Sequence, residues 1–125
     1  MITHPERLKG VHPDLVKVIL AAAEKIDFTV TCGMRTIEEQ RKLVASGKSQ
    51  TMRSRHLTGH AVDFCVVRNG CACWDFPDYK RVADVIKAEA KRLGIPVSWG
   101  GDWKTFKDGP HVELPEVDYP ARMAA

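Results

Sequence analysis

The stretch Ser54-Arg55-His56-Leu57-Thr58-Gly59-His60-Ala61-Val62-Asp63-Phe64-Cys65-Val66-Val67 decides both the fold and the chemistry of this chain. Ala61 to Val67 is strongly β-prone and reads as a strand entered from a polar loop. On a strand, Ala61, Asp63, Cys65 and Val67 share one face, and Val62, Phe64 and Val66 share the other. A carboxylate at Asp63 would be costly to bury among such neighbours without compensation. A bound cation removes that cost. His56 offers a second donor from the preceding loop, with Gly59 letting the backbone fold back between the two. His60 competes with His56 for this place, but it should lie on the strand face of Val62.

A second motif answers downstream: Asp108-Gly109-Pro110-His111-Val112-Glu113. In a short strand His111 and Glu113 share a face, while Val112 and Leu114 point into the core. Two neutral imidazoles and one carboxylate suit a catalytic zinc with an open coordination position. Such an ion brings the pKa of water toward roughly 7, which makes hydroxide accessible at neutral pH. Asp108 is then the natural general base, and Glu113 a candidate to orient a histidine ligand. These residues together predict a metal-dependent hydrolase.

Working outward, Pro13-Asp14 opens a helix with Leu15, Val18, Ile19, Ala22, Ala23 and Ile26 on one stripe. Phe28, Val30 and Cys32 alternate with Thr29 and Thr31 as a short strand ending at Gly33. Thr36-Ile37-Glu38-Glu39 fits a capping box, so a second helix runs to about Ser46 and stops at Gly47. Lys48 to Arg55 reads as an exposed loop. Arg68-Asn69-Gly70 is a hairpin signal, with Cys71 to Trp74 as the returning strand. Asp75 to Asp78 starts a third helix, with Tyr79, Val82, Ile86 and Leu93 inward and Gly94 at its end. Ile95 to Trp99 reads as a strand, and His111 to Leu114 as a last short one. The expected fold class is α+β: a small, mainly antiparallel sheet backed by about three helices. A single domain over residues 1–125 is expected, with 115–125 loosely packed.

The chain has 125 residues, a formal charge of +3 and 44% hydrophobic content. That charge suits an anionic polymer but is too weak and dispersed for nucleic acid. The longest apolar run, Val18 to Ala23, is too short to span a bilayer, and residues 1–7 lack a signal-peptide core. Start in the cytoplasm is therefore expected, with no membrane insertion. Cys32, Cys65, Cys71 and Cys73 are expected as reduced thiols. Cys71-Ala72-Cys73 is tighter than usual zinc-ligand spacing, so no second, thiolate metal site is expected. His4 and His12 are expected at the surface.

Ser-x-His-x-x-Gly-x-Ala-x-Asp at Ser54–Asp63, followed by Asp-x-x-His-x-Glu at Asp108–Glu113, resembles the D-Ala-D-Ala and L-Ala-D-Glu zinc metallopeptidases. Those include vancomycin-resistance enzymes and phage endolysins, in a fold shared with hedgehog-type domains. The resemblance runs from the first helix to Leu114. It implies His56, Asp63 and His111 as ligands of one Zn²⁺ per chain, and Asp108 as catalytic acid/base. Gly33-Met34-Arg35-Thr36 with Gln40 resembles the family's Arg-Ser/Thr-x-x-x-Gln element. By that likeness Arg35 would stabilise the oxyanion, and Gln40 and Ser54 would help hold substrate.

The minimal chain, the acid at Asp108 and Trp99-Gly100-Gly101-Asp102-Trp103 resemble the L-alanyl-D-glutamate endolysin branch. The short basic Lys104 to Lys107 predicts no calcium switch. The resemblance implies a monomer that cuts the L-Ala–D-Glu amide of bacterial peptidoglycan and is released from the host cytoplasm with the help of a holin. A D-alanyl-D-alanine carboxypeptidase or dipeptidase is the alternative within the class. A non-catalytic, zinc-containing wall-binding module is the alternative outside it. Asp108 and Arg35 argue against the module, which needs neither a base nor an oxyanion partner.

Overall fold

The structure is a computed structural model that describes residues 5–47, 55–68, 71–73, 75–103, 109–115 and 117–120. Helix α1, Pro13–Ala23, starts where a proline needs no amide partner, and the His12 Nδ1 accepts from the Asp14 N–H at 3.1 Å. His12 is thus a half-buried cap and not a free surface residue, because that nitrogen satisfies an amide the helix cannot. Helix α2, Ile37–Ala45, carries the expected capping box between Thr36 and Glu39. Helix α3, Phe76–Leu93, ends on Gly94 in the left-handed conformation (φ 74°).

Strands β1 (Phe28–Cys32), β2 (Ala61–Arg68), β3 (Cys71–Cys73), β4 (Ser98–Trp99) and β5 (His111–Glu113) form one antiparallel sheet in the order β1-β2-β5-β4, with β3 also paired to β2. The fold class is the α+β arrangement expected. Arg68 pairs with Cys71, as a two-residue hairpin connection requires. The Asn69-Gly70 turn itself lies outside the described residues, as do the side chains of Cys71 and Cys73. Strand β4 is shorter than expected: only Ser98 and Trp99 pair with β5, since Pro96 has no N–H to offer a ladder.

Val30, Val62, Phe64, Val112 and Leu114 are each no more than 1% exposed, and with Phe28 and Val66 they turn one sheet face toward α1 and α3. Leu15, Val18, Ile19 and Ala22 of α1 and Tyr79, Val82, Ala83 and Ile86 of α3 complete that core. Leu93 was expected inward but is 36% exposed, at the rim where α3 runs out. Helix α2 buries little apolar surface: Ile37 is 45% exposed, and Gln40 is its buried residue.

Tyr119, within the segment expected to pack loosely, is well anchored. The Tyr119 hydroxyl donates to Asp14 at 2.7 Å, its ring packs edge-on to His12, and Arg55 donates to its carbonyl at 2.7 Å. Residues 121–125 lie outside the description.

Candidate metal centre

Sheet register builds the site. Asp63 lies directly opposite His111 on β5, and Ala61 opposite Glu113. Both pairs sit on the face away from the core, because Val62, Phe64 and Val112 occupy the intervening positions. His56 reaches the same place from a 3-10 turn over Arg55–Thr58. Gly59, at φ 76°, reverses the chain between turn and strand, and a Cβ there would collide with the Gly10 carbonyl.

The two imidazoles converge on one carboxylate oxygen. His56 Nε2 lies 3.2 Å and His111 Nδ1 3.1 Å from Asp63 Oδ1. Their far nitrogens fix the tautomers. His56 Nδ1–H donates to the Gly33 carbonyl at 2.8 Å, and His111 Nε2–H donates to Glu113 Oε1 at 2.8 Å. Each neutral ring therefore aims a lone pair at the space beside Asp63. A lone pair this close to the Asp63 carboxylate is repelled unless a cation or a proton sits between them. Donor atoms of a tetrahedral site with ~2.0–2.1 Å bonds stand about 3.3 Å apart, close to the separations from Asp63. The separations from Asp63 suit a divalent metal, and carbonyl and carboxylate partners behind the histidines are the usual supports of such ligands; among the described residues, the donor atoms that all lie within 4.8 Å of one another are those of Cys32, His56 and Asp63.

Burial opposes a charge on His56, yet hydrogen bonding to Asp63 and Cys32 pushes its pKa up to about 10. His111 is raised too: burial again opposes, and Asp63 and Glu113 prevail. Burial would raise Asp63, but hydrogen bonds from His111 and His56 hold its carboxyl far below the usual range. The deprotonated Asp63 carboxylate is what a metal would exploit, once both imidazoles have given up their protons.

Arg35 borders the same space. Its Nη1 donates to Gln40 Oε1 at 2.7 Å, and its Nη2 lies 3.8 Å from Asp63 Oδ2. Its backbone N–H donates to the His56 carbonyl at 2.9 Å, so residues 33–35 and His56 clamp each other in both directions. Gln40 is fully buried. It meets Arg35 and has no exposed surface to offer a substrate. Ser54 and Asp108 lie outside the described residues.

Three neighbours were not singled out from sequence. Cys32 Sγ stands 4.0 Å from His56 Nδ1 and 3.4 Å from Arg35 Nη2. Hydrogen bonding to His56 pulls that thiol below its ordinary pKa, against burial. Arg55 Nε lies 3.9 Å from Glu113 Oε2, while its Nη2 donates to the Leu114 carbonyl at 2.7 Å. Trp103 packs its ring 5.1 Å from that of His111. Adjacency to His56 was the only sequence signal for Arg55. His60, the competing ligand, instead bonds Thr58 Oγ1 at 2.6 Å and packs near His12 and Tyr119.

Histidines and an aspartate on the open face of a small antiparallel sheet, with a guanidinium beside them, make up a residue set of the kind that metallohydrolases use. The model of the phage L-alanyl-D-glutamate peptidase family matches residues 2–115, and the chain belongs to that family. An L-alanyl-D-glutamate peptidase of Escherichia phage T5 is 33% identical over 87% of this chain and 92% of its own length. One of Listeria phage A118 is 42% identical over 75% of this chain, which spans only 35% of that longer protein. Among solved structures, the Serratia marcescens L-Ala D-Glu endopeptidase ChiX superposes with a TM-score of 0.90 at 46% identity, covering 97% of this chain and 95% of the other.

Proposed function

We propose that this chain is a zinc-dependent endopeptidase that hydrolyses the L-Ala–D-Glu amide of the peptidoglycan stem peptide and so lyses a bacterial wall. The observation that carries the reading is the convergence of His56 Nε2 and His111 Nδ1 on Asp63 Oδ1, in a chain of this family. His56, Asp63 and His111 hold one Zn²⁺. When bound, zinc supplies Lewis-acid activation of water and of the scissile carbonyl.

The remaining chemistry belongs to side chains. Asp108 takes the proton of the attacking water and returns it to the leaving amine of D-Glu. Arg35 meets the negative charge that develops on the carbonyl oxygen, and Gln40 holds the guanidinium in place for that purpose. Glu113 keeps His111 in the tautomer that ligates through Nδ1. Ser54 contacts the substrate. The anionic stem peptide suits the charge of +3.

No helix among the described residues is long and apolar enough to cross a membrane. In our reading the protein accumulates as a monomer in the host cytoplasm and reaches the wall once a holin opens the membrane. Mass spectrometry of digested peptidoglycan tests the bond. Fragments with a new D-Glu amino terminus are expected. Released free D-Ala would indicate a D,D-carboxypeptidase, and unchanged muropeptides a wall-binding module. Stripping the metal with a strong chelator should abolish lysis and Zn²⁺ should restore it; lysis indifferent to the chelator would remove zinc from the mechanism.

A further inference from the structure

We propose that Cys32 is an additional metal-ligating side chain of this centre, so that soft divalent cations bind through a Cys32–His56–Asp63 set overlapping the His56–Asp63–His111 set.

The argument begins with register. Phe28, Thr29 and Val30 pair in step with Val66, Cys65 and Phe64, and Cys32 then pairs with Asp63, so one extra residue is accommodated between Val30 and Cys32. Strict alternation would send Cys32 into the core with Phe28 and Val30. The bulge reverses its face, and bulges commonly re-aim side chains beside active sites. Cys32, Asp63 and His111 thereby become successive cross-strand neighbours on β1, β2 and β5.

The donors then gather. Ligand atoms of Cys32, His56 and Asp63 all lie within 4.8 Å of one another. A tetrahedral site with one sulfur at ~2.3 Å has sulfur-to-nitrogen edges of about 3.5 Å, so a small side-chain rotation of Cys32 closes the set. Thiolate is the donor that soft ions prefer over imidazole and carboxylate. Binding releases the thiol proton to solvent as the metal–sulfur bond forms, with no change of oxidation state. One cysteinate and one aspartate neutralise a divalent ion, and Arg35, 3.4 Å from the sulfur, faces the thiolate with a positive charge. A soft ion so held occupies the ligands that the catalytic metal needs, and blocks the enzyme.

This inference rests on the reading of His56 and Asp63 as metal donors, and the experiment separates the two. Cadmium is titrated into the full chain carrying Cys71→Ser and Cys73→Ser, with and without Cys32→Ser, and the ultraviolet thiolate-to-cadmium absorbance is followed. The Cys32-containing protein is expected to develop the band at one equivalent. Cys32→Ser should abolish it and weaken cadmium binding roughly tenfold or more. Asp63→Asn should diminish the band, whereas His111→Ala should leave it. No band in the Cys32-containing protein, or a band that survives Cys32→Ser, overturns the proposal. Zinc content, measured on the same proteins by plasma mass spectrometry, reports separately. One zinc per chain with and without Cys32 supports the three-ligand reading and shows that the serine variant is folded. No zinc in either protein would defeat that reading without deciding the cadmium result.

Discussion

Arg35 is oriented from three sides: by Gln40 at Nη1, by Cys32 and Asp63 near Nη2, and by the His56 carbonyl at its backbone N–H. A guanidinium fixed this way needs no reorganisation as charge develops on a substrate oxygen. Replacing Arg35 with alanine is expected to lower kcat by about 10²–10³-fold, the scale of one oxyanion-hole donor, with zinc content unchanged. A variant of near-normal kcat would assign the stabilisation elsewhere. Asp108→Asn should retain zinc and lose turnover by several orders of magnitude; normal lysis by that protein would remove Asp108 as the base. The residue types were readable in the chain because imidazole, carboxylate and guanidinium have few uses at such spacing. Their atoms were not: which nitrogen of His111 faces Asp63 depends on Glu113 standing behind it.

At the level of elements, the turn from Gly59 into β2 determines whether His56 and Asp63 meet. The Gly59 backbone is left-handed and lies against the Gly10 carbonyl, while its own carbonyl accepts from the His12 N–H at 2.7 Å. Alanine there pays roughly 1–2 kcal/mol for the backbone conformation alone, before the steric conflict is relieved. Gly59→Ala should therefore shift the urea midpoint downward and reduce zinc affinity together. Unchanged zinc affinity in a destabilised protein would mean that the turn does not position His56. Helices and strands were legible from periodicity, since the buried stripes of α1 and α3 and the alternation along β2 follow their residues. The bulge in β1 was not, because Phe-Thr-Val-Thr-Cys alternates without interruption, and the slip arises only on pairing with β2.

For the whole molecule, the centre links stability to pH and to metal. His56 has its pKa raised from 6.5 to about 10 in the metal-free protein, so its proton contributes stability that is fully present below pH 6.5 and lost as pH rises toward 10. Asp63 is lowered from 3.8, so its contribution is present above that value and lost as pH falls through the folded pKa. The metal-free protein should accordingly be most helped by this cluster in weak acid, between about pH 4 and 6.5. Zinc needs neutral imidazole, so binding must expel protons and tighten with rising pH. Calorimetry in buffers of different ionisation enthalpy should record proton release at pH 7. No release would show that the histidines are already neutral there.

The sequence by itself determined the α+β class and the identities of His56, Asp63, His111 and Arg35 as candidates. Residue chemistry and local periodicity are properties of short segments, and they survive without a partner. Tertiary structure alone decided how those candidates meet. Antiparallel register sets Asp63 against His111, the β1 bulge brings Cys32 beside them, and the burial of Gln40 sets its amide oxygen against Arg35. It also anchored Tyr119 through Asp14 and Arg55, which no pattern in residues 115–125 announced. Such contacts join segments far apart in the chain, and their geometry comes into being only when the sheet closes.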